Sequence, residues 1–322
     1  MTDTPLVTIA IPTFNRAHTL RRALESVLEQ DYERCEIIVC DNGSTDATSE
    51  LLAETSRDHP GVIVLRSETN QGAPSNFRRG LDAATGDYFA WLADDDWIEP
   101  DFVRRCVERL EGAPAAILAH TRARYYYEDG TTYSERAVEL MRASAALRVV
   151  AYYQTVSYNG AFYGLSRTAD RRKAPPLDDN LASDWIHVAA LAAMGQLVSA
   201  DSLIHRSATG GSWSIARGWL LYPVVIARLA FKETARRAAF DELGAARLVV
   251  AIVASLIIVW RFGLVWSLGE IVGRVVRLLR SCLGPAHYNR ARSAYRTIRR
   301  RPSSRPGVDP PCSRNAVGLG RR

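Results

Sequence analysis

A mostly parallel, Rossmann-like sheet with helices on both faces is the α/β architecture that this 322-residue sequence predicts for its N-terminal part. Three observations carry that prediction. Short runs of β-branched and apolar residues alternate with stretches whose apolar residues fall three and four apart, the two periods of buried strand and amphipathic helix. Turn-forming and carboxylate side chains close the runs. Apolar residues make up 47% of the chain and charged residues 24%, the balance of a globular protein.

Residues 6–11, LVTIAI, form the first strand, which Pro12 ends. Leu20, Ala23, Leu24, Val27 and Leu28 then line one face of a helix. Residues 36–40, EIIVC, are the second strand. The segment 41–46, DNGSTD, closes it, and Thr45 or Asp46 caps a helix carrying Leu51 and Leu52. Residues 62–65, VIVL, are the third strand and 77–84 the next helix. Residues 87–93, DYFAWLA, read as a fourth strand running straight into Asp94, Asp95 and Asp96.

Strands that alternate with helices pair in parallel, and such sheets bind ligands beyond the carboxyl ends of their strands. Thr13 and Asn15 follow the first strand, Asp41 the second, Asn70 the third and the three aspartates the fourth. Four separate segments therefore converge on one rim.

Three adjacent carboxylates at a strand end repel one another unless a cation neutralises them. Oxygen-only ligands suit hard ions, Mg²⁺ or Mn²⁺. On an extended backbone Asp94 and Asp96 point to one side and Asp95 to the other, which makes Asp94 and Asp96 the candidate metal pair. The competing reading is an acidic turn before the helix that begins near Pro100. Asp41, held at a strand end, suits a base N–H or a ribose hydroxyl. Ser44 to Asp46 read instead as a turn with a helix cap.

The net charge of +6 is unevenly placed: from Arg274 to Arg322 there are many arginines, no lysine and one acid, Asp309. Such a tail attracts a polyanion, a membrane surface or a nucleic acid. Few aromatics are interleaved with its arginines, so no nucleic-acid partner is expected. The five cysteines form no Cys-x-x-Cys pair and read as free thiols of a reducing compartment. Met1 to Leu6 carries no basic stretch followed by an apolar one, so the first domain is expected to fold in the cytoplasm.

The ordered set PTFNR at 12–16, DNGSTD at 41–46, NQG at 70–72, TGDY at 85–88 and LADDD at 92–96 resembles the family 2 glycosyltransferases of the GT-A fold. The match is dense over residues 5–110 and thinner to about 215. The resemblance implies inverting transfer of a sugar from a nucleotide-sugar donor to a hydroxyl acceptor, in cell-surface polysaccharide or glycolipid biosynthesis. By position it puts Thr13 and Asn15 near the nucleoside, Asp41 on the base, and Arg78 or Arg79 beside the nucleotide. Asn70 and Asp95 join the donor-binding set. Asp94 and Asp96 match the metal-binding Asp-x-Asp, with Mg²⁺ or Mn²⁺ as the implied cofactor.

Family members place the catalytic base in a Glu-Asp pair that opens a later helix. Here residues 181–187, LASDWIH, match that position, with Asp184 as base and Ser183 in place of the usual Glu; Asp179 is the runner-up. Trp185 reads as either a sugar-stacking wall or a core side chain. Residues 158–165, YNGAFYGL, read as a strand, and His205 and Arg206 fall where the family sets basic residues over the diphosphate. Without the usual Glu, a noncatalytic nucleotide-sugar binder is an alternative. A nucleotidyltransferase on a related fold is disfavoured because no glycine-rich loop follows the first strand.

The expected organisation is a GT-A domain over 1–215, with a donor half to 110 and an acceptor half from 111. A helical region follows over 216–285, then a basic, disordered tail over 286–322. Residues 248–260 are uninterruptedly apolar, short of the roughly 20 a membrane span needs. Leu264, Leu268, Ile271, Val275 and Leu278 then share one face of a basic amphipathic helix suited to an anionic membrane surface. A single span would carry the arginine-rich tail outside, against the positive-inside tendency. Peripheral or re-entrant attachment at the cytoplasmic face is therefore expected, with a lipid-linked or sugar acceptor.

Overall fold

The computed structural model describes residues 4–179, 183–208, 243 and 246–258. Its organising element is β1 (Val7–Thr13), in which every residue is buried. A strand covered on both faces needs this unbroken apolar run. On one face Val7, Ile9 and Ile11 join a core with Leu20, Ala23, Leu24 and Val27 of α1 (Ala17–Leu28) and with Phe102, Val103 and Cys106 of α4 (Phe102–Glu111). On the other face Ala10 meets Gly80 of α3 (Ala73–Ala83), where an added Cβ would lie 2.7 Å from the Ala10 Cβ. Glycine is required there because helix and strand backbones touch.

Beside β1 lie β2 (Cys35–Asp41) on one flank and β4 (Tyr88–Trp91) on the other, both parallel to it. Helix α2 (Thr48–Asp58) leads to β3 (Val62–Arg66), which pairs in parallel with β2. The N-terminal part is thus the parallel α/β unit expected. Beyond β4 the sheet changes character.

Its remaining strands are β5 (Trp97–Ile98), β6 (Ala116–Tyr126), β7 (Thr132–Glu135), β8 (Leu165–Arg167) and β9 (Gln196–Ser207), in the overall order β3-β2-β1-β4-β8-β6-β9-β5 with β7 on β6. Only β6–β9 is parallel here; β4–β8, β6–β8, β6–β7 and β5–β9 are antiparallel. The sheet is therefore mixed rather than mostly parallel. Short strands such as β5 and β8 do not stand at the ends of strand–helix–strand crossovers, the connections that enforce parallel pairing.

Helix α5 (Ala145–Thr155), a 3-10 turn (Gly160–Tyr163), α6 (Thr168–Lys173) and α7 (Ser183–Met194) accompany this second, mixed part of the sheet. The segment 158–165 is this turn rather than the strand expected: Gly160 and Gly164 sit too close to Ala123 and Ala119 for a side chain. Helix α3 begins at Ala73, earlier than expected, with Pro74 in its first turn.

Helix α8 (Arg247–Ile258) packs on α5, burying Val250, Ala251, Ala254 and Ile258 and exposing Val249, Ile252 and Leu256. Its 12 residues fall short of a span, and no helix among the described residues is long and apolar enough to cross a membrane. The amphipathic helix expected from Leu264 onward and the basic tail lie outside the described residues. Cys35, Cys40 and Cys106 are free thiols, as expected.

Candidate active site

The carboxyl ends of β1, β2 and β3 are tied into one rim by polar side chains. Asn15 adopts a left-handed backbone, φ 54°, and its Oδ1 accepts from the Thr45 N–H at 2.7 Å. Asp46 accepts from the N–H groups of both Ala17 and Thr48, so it serves the start of α1 as well as α2. The Ser44–Asp46 segment is the structural turn expected, but the cap position of α2 is Ala47, which makes no side-chain cap bond; Asp46, one residue earlier, takes the Thr48 N–H.

Asp41 is fully buried at the end of β2. Its Oδ1 accepts from the Ser44 N–H at 2.9 Å, and its Oδ2 lies 3.6 Å from the half-exposed Arg66 guanidinium. A cavity of about 160 Å³ opens here, lined by Asp41, Arg66, Val64, Ser49 and Leu52 among others. Asn70 is exposed and accepts from Asn42 Nδ2 at 2.8 Å, while Asn42 Oδ1 takes the Gln71 N–H. Asn42, buried and bonded to both loops, was not singled out by sequence: an Asn after a strand looks like any turn residue.

The two arginines of α3 divide. Arg78 is exposed and pairs with Asp82 one helical turn on, away from the rim. Arg79 donates to the Leu65 carbonyl, Ser67 Oγ and Asn76 Oδ1, clamping α3 to the ends of β2 and β3. Arg78 or Arg79 was expected beside the nucleotide. The helical phase instead turns Arg78 to solvent.

Asp94, Asp95 and Asp96 do not continue β4. The Asp96 N–H donates to the Ala93 carbonyl at 3.1 Å, closing a turn, so the alternation of an extended strand does not apply. Asp94 and Asp95 share Arg16, at 3.8 and 2.8 Å. Asp96 faces the other way: Arg206 Nε of β9 donates to its Oδ2 at 2.7 Å and the Ser207 N–H to its Oδ1 at 2.9 Å. The repulsion expected of three carboxylates is met by two arginines. Among the described residues no three His, Cys, Asp or Glu side chains gather as a metal cluster.

Burial pushes the Asp94 carboxyl up to about 7, against the neighbouring Thr13 hydroxyl and the Arg16 guanidinium. Burial likewise raises Asp96 to about 6, with Arg206 opposing.

Arg206 links the two halves. Its guanidinium lies 4.1 Å from the centre of the Tyr163 ring and 5.4 Å from that of Tyr125. Its charge favours the ionised forms of both Asp96 and Asp184. Asp184 stands in the first turn of α7, half-buried, and its Oδ2 accepts from Asn159 Nδ2 at 2.9 Å. Burial raises its pKa, and Asn159, the helix N–H groups and Arg206 hold the rise back. Asp179, the runner-up, is exposed.

Trp185 is buried core. His205 is absorbed structurally: it bonds Tyr126 and Glu99 at 2.8 and 2.7 Å and stacks on Trp97 at 4.8 Å.

An N-terminal parallel α/β unit joined to a mixed second part of the sheet, with acidic groups on the rim, defines a GT-A-like glycosyltransferase fold. The glycosyl transferase family 2 model matches residues 8–172, just over half of the 322, and the chain belongs to that family. Chondroitin synthase of Escherichia coli is 33% identical over 130 residues, 40% of this chain and 19% of that protein. A β-1,3-glucosyltransferase of Campylobacter jejuni, named for a GalNAc(5)-diNAcBac-PP-undecaprenol, is 30% identical over 139 residues, 43% of this chain and 41% of its own. The matched segments thus cover less than half of these relatives. Among solved structures, a Pyrobaculum calidifontis mannosyltransferase in complex with GDP-Man and Mn²⁺ superposes with TM-score 0.54 at 16% identity, over 93% of this chain and 89% of that one. S. aureus TarS 1-349 in complex with UDP-GlcNAc superposes at 0.50 with 17% identity, over 91% and 90%. These two likenesses are of fold.

Proposed function

We propose that this protein transfers a sugar, with inversion, from a nucleotide-sugar donor to a hydroxyl of a sugar or lipid-linked acceptor in cell-surface polysaccharide or glycolipid synthesis. One observation carries the reading most: Arg206 brings the acidic turn after β4 and the first turn of α7 to one place, so a donor-side and an acceptor-side carboxylate share a rim. The donor half would span residues 1–110 and the acceptor half 111–215.

In this reading Asp41 receives the base, with Arg66 moving from Oδ2 to admit it. Thr13, Asn15 and Asn70 shape the nucleoside pocket. Arg16 and Arg206 supply positive charge where the diphosphate departs, which lowers the barrier as negative charge develops. Asp184 takes the proton of the attacking hydroxyl. A raised pKa suits that role, because a stronger base accepts a proton more readily.

A divalent cation, Mg²⁺ or Mn²⁺, would have oxygen donors in Asp94 and Asp96 if Arg206 released Asp96 and the turn rearranged to bring both carboxylates to one side, and it would then neutralise the leaving diphosphate. The exposed Val249, Ile252 and Leu256 of α8, next to the apolar and basic C-terminal segments, support work at the cytoplasmic face of a membrane.

The test is calorimetric titration with a panel of nucleoside diphosphates, with and without Mn²⁺, on wild type and Asp96→Ala. One nucleotide is expected to bind, more tightly with Mn²⁺, with the metal gain lost in the variant. Failure of every nucleotide to bind under both conditions would sink the donor site.

A further inference from the structure

The side chain that holds Asp184 comes from a segment no part of the transfer scheme has used. Asn159 lies just before the 3-10 turn in a left-handed backbone, φ 58° and ψ 44°, which Asn tolerates better than most side chains. It is 2% exposed and both ends of its amide are engaged: Nδ2 donates to Asp184 Oδ2 at 2.9 Å, and Oδ1 accepts from the Tyr152 hydroxyl of α5 at 2.8 Å. The tyrosine bond fixes which end of the amide faces Asp184. A flipped amide would set oxygen against carboxylate and leave the Tyr152 hydroxyl without an acceptor.

The backbone around Asn159 is held just as tightly. Glu135 of β7 accepts from the N–H groups of Ser157, Tyr158 and Gly160, at 3.3, 3.0 and 3.0 Å, and from the hydroxyls of Ser157 and Tyr125. One carboxylate therefore pins the residues on both sides of Asn159. Gly160 leaves no room to slide, since an added Cβ would sit 3.0 Å from both Ala123 Cβ and Glu135 Oε2. A left-handed residue, a clamped loop and an oriented amide together amount to more than packing requires.

We propose that Asn159 is a positioning residue for Asp184: its side-chain amide, oriented by Tyr152 and by the Glu135-clamped loop, fixes the plane in which the carboxylate meets the acceptor hydroxyl. The inference rests on Asp184 being the base. A base gains its effect only when held within hydrogen-bond reach of the proton it takes, and the helix N–H groups on Asp184 need a bond from a second direction to fix the carboxylate's plane. The other groups facing Asp184 are Arg206 from β9, Tyr163 from the 3-10 turn and Tyr152 from α5. The Trp185 N–H donates from the helix itself, and Asn159 adds the side-chain donor on Oδ2 from outside the helix.

The experiment compares wild type with Asn159→Asp, Asn159→Gly and Asp184→Asn. Asn159→Asp keeps the shape and the Tyr152 bond but sets a second carboxyl against Asp184 in place of the neutral donor, whereas Asn159→Gly removes the donor without adding charge and suits the left-handed backbone. Infrared difference titration, with Asp184→Asn as the blank, isolates the Asp184 carboxyl without any substrate. Losing the donor to the charged form should move its midpoint up by about one pH unit in Asn159→Gly, while in Asn159→Asp the paired carboxyls should titrate in two steps, the upper one above the wild-type midpoint. Hydrolysis of UDP-GlcNAc or GDP-mannose, with water as acceptor, should slow about tenfold while the donor KM stays unchanged. A midpoint equal to wild type in Asn159→Gly, or no step above it in Asn159→Asp, overturns the proposal, whatever happens to the melting temperature. An Asp184→Asn protein that hydrolyses donor at the wild-type rate would instead remove the base assignment, and the infrared result stands apart from that outcome.

Discussion

Arg206 faces two carboxylates and two aromatic rings, and its loss should be felt first as instability. Asp96 has a fully buried side chain, and the guanidinium 2.7 Å away supplies its counter-charge. Removing one partner of a buried ion pair leaves the other charged and desolvated, at a cost of about 3 kcal/mol. Arg206→Ala should therefore lower unfolding free energy in urea by about that amount. Asp96→Asn in the same chain should restore most of it, because an amide has no charge to strand. A double variant no more stable than Arg206→Ala would show that the pair is not the cause. Arg206→Lys should recover the charge but not the bond through Nε, since a lysine has no fork to aim at Asp96 while resting on Tyr163.

At the scale of elements, the close contact of α3 with β1 gives the sharpest expectation. Gly80→Ala puts a methyl 2.7 Å from Ala10 Cβ, and both backbones are fixed by neighbours. Overpacking of this kind costs about 1–3 kcal/mol, which calorimetric melting should show as a lowered Tm. An unchanged Tm would mean that α3 floats on the sheet. The same elements explain what the sequence could and could not tell. β1 and β2 were legible because a strand covered on both faces is apolar nearly throughout, and β3 because residues 62–65 keep an apolar run although Ile63 is exposed at the sheet edge. The rim followed because polar residues must appear where a covered strand leaves the core. The acidic turn was not legible as a turn: Asp94 to Asp96 could continue β4 until the Asp96 N–H finds the Ala93 carbonyl. Arg16 stood in a recognised motif, yet its partners are 78 and 79 residues away, and Arg206 meets Asp96 across 110. No local pattern encodes such pairs. Asn159 could have been suspected from the Asn-Gly pair it opens, although that pair reads equally as a simple turn.

The whole molecule responds to pH through buried groups whose titration burial shifts. His187 of α7 is 1% exposed; its Nδ1 bonds the Pro175 carbonyl at 2.8 Å, so the proton sits on that nitrogen. Burial, helped by the nearby Arg171 guanidinium, depresses its pKa to about 3. An unfolded histidine titrates near 6.5, so between about 3 and about 6.5 the unfolded chain binds a proton that the folded chain does not. Stability from this group is therefore complete above that range and lost as the pH falls through it, by about 2 kcal/mol between pH 7 and pH 5. Asp94 and Asp96, raised to about 7 and about 6, push the other way, since their folded forms hold protons that unfolded carboxyls have released. A bare stability profile mixes the two trends. The difference between wild type and His187→Asn separates them, because both proteins keep the aspartates and the asparagine amide can still donate to Pro175. In urea unfolding the wild-type advantage over the variant should shrink by about 2 kcal/mol from pH 7 to pH 5. An advantage that stays constant over that range would mean that His187 takes up its proton inside the folded protein, and that the packing of α7 against Trp91 and Phe162 opens to let it do so.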